Sequence, residues 1–295
     1  MRALKLLLTL QKRIHFIRRQ AILERDANRG RVTLSRRNRI VVFLVVSLGI
    51  AASAFLHSPI PQSQAYHAFA DRGTRLGIPN AFDVVSNVVF LVVGGLGLWY
   101  VFRVDPGRAS AAFLSKGERW PYAVFFLGVT LTAFGSAYYH FAPDNSRLVW
   151  DRLPMTTGFM AFLAAMIAER IDVKAGLHLL IPLVAVGAAS VLYWLWTELR
   201  GAGDLRPYIL VQLYPFVALL LLLALFPPRY TRSANLLGAV GLYGLAKLLE
   251  LFDKQVFAAT RVVSGHTLKH LAAGAGTYVI LEMLKKRSPL EYQSR

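Results

Sequence analysis

Residues 264–274 read SGHTLKHLAAG, and the apolar run they open continues to about residue 284. A segment of that length and hydropathy reads as a membrane span. Yet its first turns carry His266, Lys269 and His270, and polar groups at that depth are costly. Four residues is about one helical turn, so His266 and His270 project from one face. Whatever that face meets must come from elsewhere in the chain.

The rest of the chain supplies the setting. With 295 residues, 55% of them hydrophobic, and a positive mean hydropathy, it is too apolar for an ordinary soluble domain and too long for a single anchor. A hydrocarbon core about 30 Å thick takes roughly 20 apolar residues per helix. Eight runs qualify, near 40–57, 82–102, 120–140, 153–169, 176–197, 208–227, 233–252 and 264–284. Prolines punctuate their flanks, and Trp99, Trp120 and Trp150 fall near the expected interfaces. The expected fold is an all-α integral membrane protein.

The formal net charge of +18 raises the question of nucleic acid. The basic residues lie mostly in the N-terminal 39 residues and in loops between apolar runs, without interleaved aromatics, so no nucleic-acid partner is expected. They sort by topology instead. With the N-terminus inside, cytoplasmic segments hold 24 of the 34 Lys and Arg, outer loops hold 8, and Lys247 and Lys269 fall inside helices. The positive-inside rule then places both termini in the cytoplasm. Residues 1–39 form a basic extension, of which 1–23 read as an amphipathic surface helix and the remainder as a polar connector. A secretory signal peptide fits poorly there. Residues 40–57 are a first span, and 287–295 a cytoplasmic tail.

The chain has no cysteine, so a transition metal would need His, Asp or Glu ligands. The third run ends GSAYYHFAP, with Ser136 and His140 one turn apart, and LVWDRLPMT, with Asp151, introduces the fourth. The seventh ends KLLELFDKQ, with Lys247, Glu250 and Asp253. Because the third run travels outward and the fourth and eighth inward, Ser136, His140, Asp151, His266 and His270 fall in one outer layer. Three neutral imidazoles with one open position make a catalytic zinc site, in which bound water has a pKa of about 7. No HExxH glutamate is present, so Asp151 is the candidate base and Ser136 the candidate partner for a developing oxyanion. Each piece has a plainer reading: the histidine pair as packing, and Asp151 as a helix N-cap followed early by Pro154. His15, His57, His67 and His178 read as surface or loop residues. Lys269 is placed to pair with Glu250 or Asp253.

Taken together, DVVSN (83–87), GSAYYHFAPDNSRLVWDRLPMT (135–156) and SGHTLKHLAA (264–273) resemble the bacterial branch of the alkaline ceramidase family. That family belongs to a superfamily of seven-helix membrane hydrolases that includes the progestin and adiponectin receptors. The similarity covers residues 65–286, which makes the first span an addition to a seven-helix core. The resemblance implies His140, His266 and His270 as zinc ligands, Asp151 as the residue that orients and deprotonates the metal-activated water, and Ser136 as an aid to the oxyanion. It implies hydrolysis of a long-chain lipid amide, ceramide-like, to a fatty acid and an amine, at the periplasmic side of a bacterial inner membrane. Its receptor branch supplies the alternative: a non-catalytic receptor or scaffold with a structural zinc site. A transporter is disfavoured, because the inner half of the bundle has few ionisable groups. Eukaryotic members also bind calcium through acidic residues near the start of the core. Here Asp71, Asn80 and Asp83 are accompanied by Arg72 and Arg75, which argues against calcium.

Overall fold

The computed structural model describes residues 34–105 and 112–290, which are helical with short connections and no strand among them. The N-terminal amphipathic stretch and residues 291–295 lie outside the described residues. Two compact units divide after Val42. In the first, Ser35 begins the leading helix by accepting the Asn38 amide at 3.2 Å. The second carries the bundle.

The long helices are α1 (Arg36–Ala54), α3 (Val88–Arg103) preceded by the short α2 (Ala81–Val85), α4 (Arg119–Phe141), α5 (Asn145–Arg170), α6 (Val173–Glu198), α7 (Arg206–Leu225), α8 (Ala234–Leu251) and α10 (Gly265–Lys286). A short α9 (Asp253–Thr260) separates the last two. Six spans, counting α2 with α3, are long and apolar enough to cross a membrane. The other two long helices, α5 and α10, are the polar ones.

Packing explains that division. Helix α5 is clasped by α4, α6 and α7, and every residue from Met160 to Arg170 is buried. Helix α10 lies between α8 and α3, and α3 in turn packs on α4. Helices enclosed by other helices can carry charge that a lipid-facing helix cannot, provided the charge finds partners. Around the lipid-facing helices large apolar side chains such as Leu48, Trp99 and Ile181 remain exposed.

Two expectations about α5 need correcting. It begins at Asn145, eight residues before the expected start, because Asp144 caps it by accepting the Arg147 amide at 2.7 Å. Asp151 is therefore no N-cap, and Pro154 sits inside the helix. Proline has no N–H for the carbonyl four residues earlier, here that of Trp150. Against that carbonyl α4 makes its closest approach: a Cβ on Gly135 would lie 1.9 Å from the Trp150 oxygen. Glycine is what lets the two helices meet.

At the C-terminal end, residues 287–290 are held to the bundle. Arg287 is buried and ion-paired with Glu169 of α5. The Ser288 carbonyl accepts the Thr231 amide, and the Leu290 amide donates to Arg229, both at 2.9 Å.

Candidate metal centre

The end of α4 carries Ser136 and His140, the second turn of α5 carries Asp151, and the first turns of α10 carry His266 and His270. All five are buried. One ligand atom from each of His140, His266 and His270 lies within 4.8 Å of the others, a group that could hold a metal ion. The Nε2 atoms of His140 and His266 are 3.1 Å apart. Two imidazole nitrogens on a tetrahedral zinc, each about 2.0–2.1 Å from the ion, would stand roughly 3.3 Å apart. The donor set and its spacing thus fit that ion.

The surroundings of the imidazoles include groups that no spacing in the sequence announces, while His140 Nδ1 has no hydrogen-bond partner. Ser86, in the break between α2 and α3, donates its hydroxyl hydrogen to the Asp83 carbonyl at 3.2 Å, and its oxygen lies 2.7 Å from His270 Nδ1. Nδ1 is then the protonated nitrogen, and the lone pair is left on Nε2. Asp253 accepts the backbone N–H of His266 and of Ala70, both at 2.8 Å, which anchors the first turn of α10. Phe69 sets its ring edgewise to both His140 and His266, with centroids 4.7 and 4.5 Å away. The Asn80 amide donates to the His140 carbonyl at 2.8 Å.

The acidic residues near the start of the core make hydrogen bonds within the protein, although Asp83 Oδ2 has no partner. Asp83 accepts the hydroxyls of Ser264 (2.8 Å) and Thr267 (2.5 Å), tying α2 to the start of α10. Asp71 accepts the amides of Gly73, Phe82 and Asp83. His67 lies in a connecting segment, in keeping with the surface-or-loop reading, but it is partly buried: its Nε2 lies 2.8 Å from Asn145 Oδ1 and its Nδ1 2.8 Å from the Tyr139 hydroxyl. Asn145 Oδ1 can only accept, so Nε2 donates and Nδ1 accepts from Tyr139, the neighbour of His140. His57 and His178 are exposed, as expected.

Asp151 faces the Ser136 hydroxyl and the Lys269 ammonium, while its Oδ1 has no hydrogen-bond partner. Such an atom is an acceptor awaiting a proton or a donor. Of the two partners considered for Lys269, Glu250 takes the ammonium, at 2.6 Å. Glu250 is also paired with Lys247.

Two cavities abut the histidines. An apolar one of about 130 Å³ lies within the bundle, lined among others by Phe125, Phe162, Tyr243, Ser136 and His270. A more polar cleft, lined by Tyr66, Glu250 and Asp253, ends at His266. Of the three histidines, His270 lines the first cavity and His266 the second. No protein-family model matches the chain, and no curated protein is similar enough to count as a match.

Proposed function

We propose that this protein is a zinc-dependent amide hydrolase of the membrane, cleaving a long-chain N-acyl lipid in the manner of the alkaline ceramidases that its motifs resemble. The observation that carries the reading is a cluster of three buried imidazoles, one of which lines an apolar cavity, together with a buried Asp151 oxygen that has no partner. In this reading α5 and α10 also span the bilayer, giving eight crossings. Supporting that count, Asp151 and Glu169 lie at opposite ends of α5, roughly 27 Å apart at about 1.5 Å per residue, close to a hydrocarbon thickness. The distribution of Lys and Arg supports cytoplasmic termini and a site facing the periplasm of a bacterial inner membrane.

His140, His266 and His270 would hold the zinc through Nε2. The bound ion would supply Lewis acidity at the amide carbonyl and a nucleophilic water near neutral pH. Asp151 accepts the water proton at its free Oδ1 and delivers it to the departing amine. Ser136, one turn before His140, donates its hydroxyl to the carbonyl oxygen as that oxygen gains charge. The acyl tail occupies the apolar cavity, which it reaches between helices without crossing water.

The test is a lipid-amide panel of ceramides, N-acylethanolamines and N-acyl amino acids, scored as released fatty acid, with metal content measured in parallel. The wild type is expected to hold about one zinc and to lose activity with a chelator. His266→Ala should lose both metal and activity. Asp151→Asn should keep its zinc while turnover falls by roughly 10²–10⁴. A purified protein without zinc, or a His266→Ala protein that keeps both, sinks the proposal, whereas a zinc-loaded wild type inert on every amide supports the receptor or scaffold alternative.

A further inference from the structure

The proposed hydrolysis does not use Lys247 or Lys269, yet both line the apolar cavity beside the histidines. They are the charged side chains lining the apolar cavity, and no carboxylate lines it. Lys269 is largely buried, with its Nζ 3.4 Å from His266 Nε2. Lys247 borders both the apolar cavity and the polar cleft. The carboxylates facing them are Glu250 and, on the side of Ser136, Asp151. A single Glu250 is shared by two ammoniums and by the Tyr66 hydroxyl at 3.4 Å, which occupies both of its oxygens. Each ammonium has three N–H donors, so donors remain for a further acceptor.

An apolar cavity lined by two ammoniums and no carboxylate suits an amphiphile whose polar end is an anion. Resting on the amide-hydrolase reading, we infer that the substrate's amine half carries a carboxylate beside the scissile bond, as in an N-acyl amino acid, and that Lys269 and Lys247 bind it. In N-acylglycine one methylene separates the amide nitrogen from the carboxylate. A carbonyl at the histidine group would then place that carboxylate within reach of an ammonium already in contact with His266. A neutral hydroxyl head group offers these ammoniums no charge. They would thus act as specificity determinants.

The full-length purified protein is titrated calorimetrically with three ligands that it cannot hydrolyse. Two are the ketomethylene analogues of N-palmitoylglycine and N-palmitoylethanolamine, in which CH₂ replaces the amide N–H, and the third is palmitate. The acidic analogue should bind at least tenfold more tightly than its neutral twin. Lys247→Gln should shrink that ratio about threefold, and the Lys247→Gln/Lys269→Gln pair should bring it close to one. If the double variant does not fold, Lys247→Gln, on the more exposed lysine, carries the comparison alone. Equal affinity for the two analogues in the wild type overturns the carboxylate site while leaving hydrolysis on the lipid panel untouched. Palmitate binding as tightly as the acidic analogue would assign the ammoniums to the fatty-acid product and also overturn it. A preserved preference in a protein that hydrolyses no amide keeps the carboxylate site and discards the hydrolase.

Discussion

At His270 the imidazole is held from behind by the Ser86 hydroxyl, whose oxygen lies 2.7 Å from Nδ1 and whose own hydrogen goes to the Asp83 carbonyl, and by that Asp83 backbone as well. That arrangement selects the tautomer with its lone pair on Nε2. Partners of this kind typically contribute 10–100-fold to metal affinity. Ser86→Ala should therefore weaken zinc binding by about that factor, and Ser86→Thr, which keeps the hydroxyl, should restore most of it. Competition against a chromogenic chelator measures both, and an alanine variant with wild-type affinity would remove Ser86 from the metal site. His266, His270 and His140 were legible as a group because helical spacing and topology place them on facing turns. Ser86, Phe69 and His67 were not, since they come from connecting segments and a helix break where no periodicity marks a direction; Asp253 stood out as a polar residue, but not for its bond to the His266 amide.

Helix α5 shows where hydropathy reads well and where it does not. A lipid-facing helix must be apolar along its whole length, so α1, α3, α4, α6, α7 and α8 fall within a few residues of the expected runs. Helix α5 opens with Asn145 to Arg152, in which Ser146 and Trp150 are exposed while Leu148, Val149, Asp151 and Arg152 are buried; that mixed stretch is helical and polar at once, and hydropathy discards it as loop. The interruption at Ser86–Asn87 was equally silent, since both flanks are apolar. The contact between α4 and α5 depends on Gly135, whose missing Cβ leaves room for the Trp150 carbonyl that Pro154 cannot bond. Gly135→Ala should cost about 1–3 kcal/mol through overpacking. It should also push Ser136 away from Asp151. Gly241 of α8, with open space where a Cβ would go, provides the control. Thermal unfolding in detergent should show a lowered Tm for Gly135→Ala and none for Gly241→Ala, and matching curves would refute the close approach.

Across the bundle, polar groups collect at the two ends of α4, α5 and α10, with apolar packing between. One end holds the histidines, Asp151 and the lysine pair. The other holds the buried Arg287–Glu169 pair, with the Tyr230 hydroxyl bonded to Glu118 nearby. Each charge is neutralised or hydrogen-bonded within protein, as an apolar surround demands. Over the histidine end, the segment at 57–62 is tied to that at 198–206: the Leu205 amide donates to the Ile60 carbonyl at 2.8 Å, and Arg206 donates to the His57 carbonyl at 2.5 Å. Asp204 holds Arg206 in place, accepting from its Nε at 2.8 Å, its Nη2 at 2.7 Å and its backbone amide at 3.0 Å. The side-chain bond to Arg206 is the main reason that the Asp204 carboxyl titrates below its ordinary range, against a smaller opposing effect of burial. A depressed folded-state pKa favours the folded protein when the group is ionised. That contribution is complete above the ordinary aspartate value of about 3.9. It disappears as pH falls through the lower folded-state value. Wild type should therefore melt above Asp204→Asn by a constant margin from pH 7 to about 5, and the margin should close below about pH 4, where a protonated aspartic acid resembles the amide. A margin that persists unchanged at pH 3, or widens there, would show that the clasp over the site does not depend on the Asp204 charge.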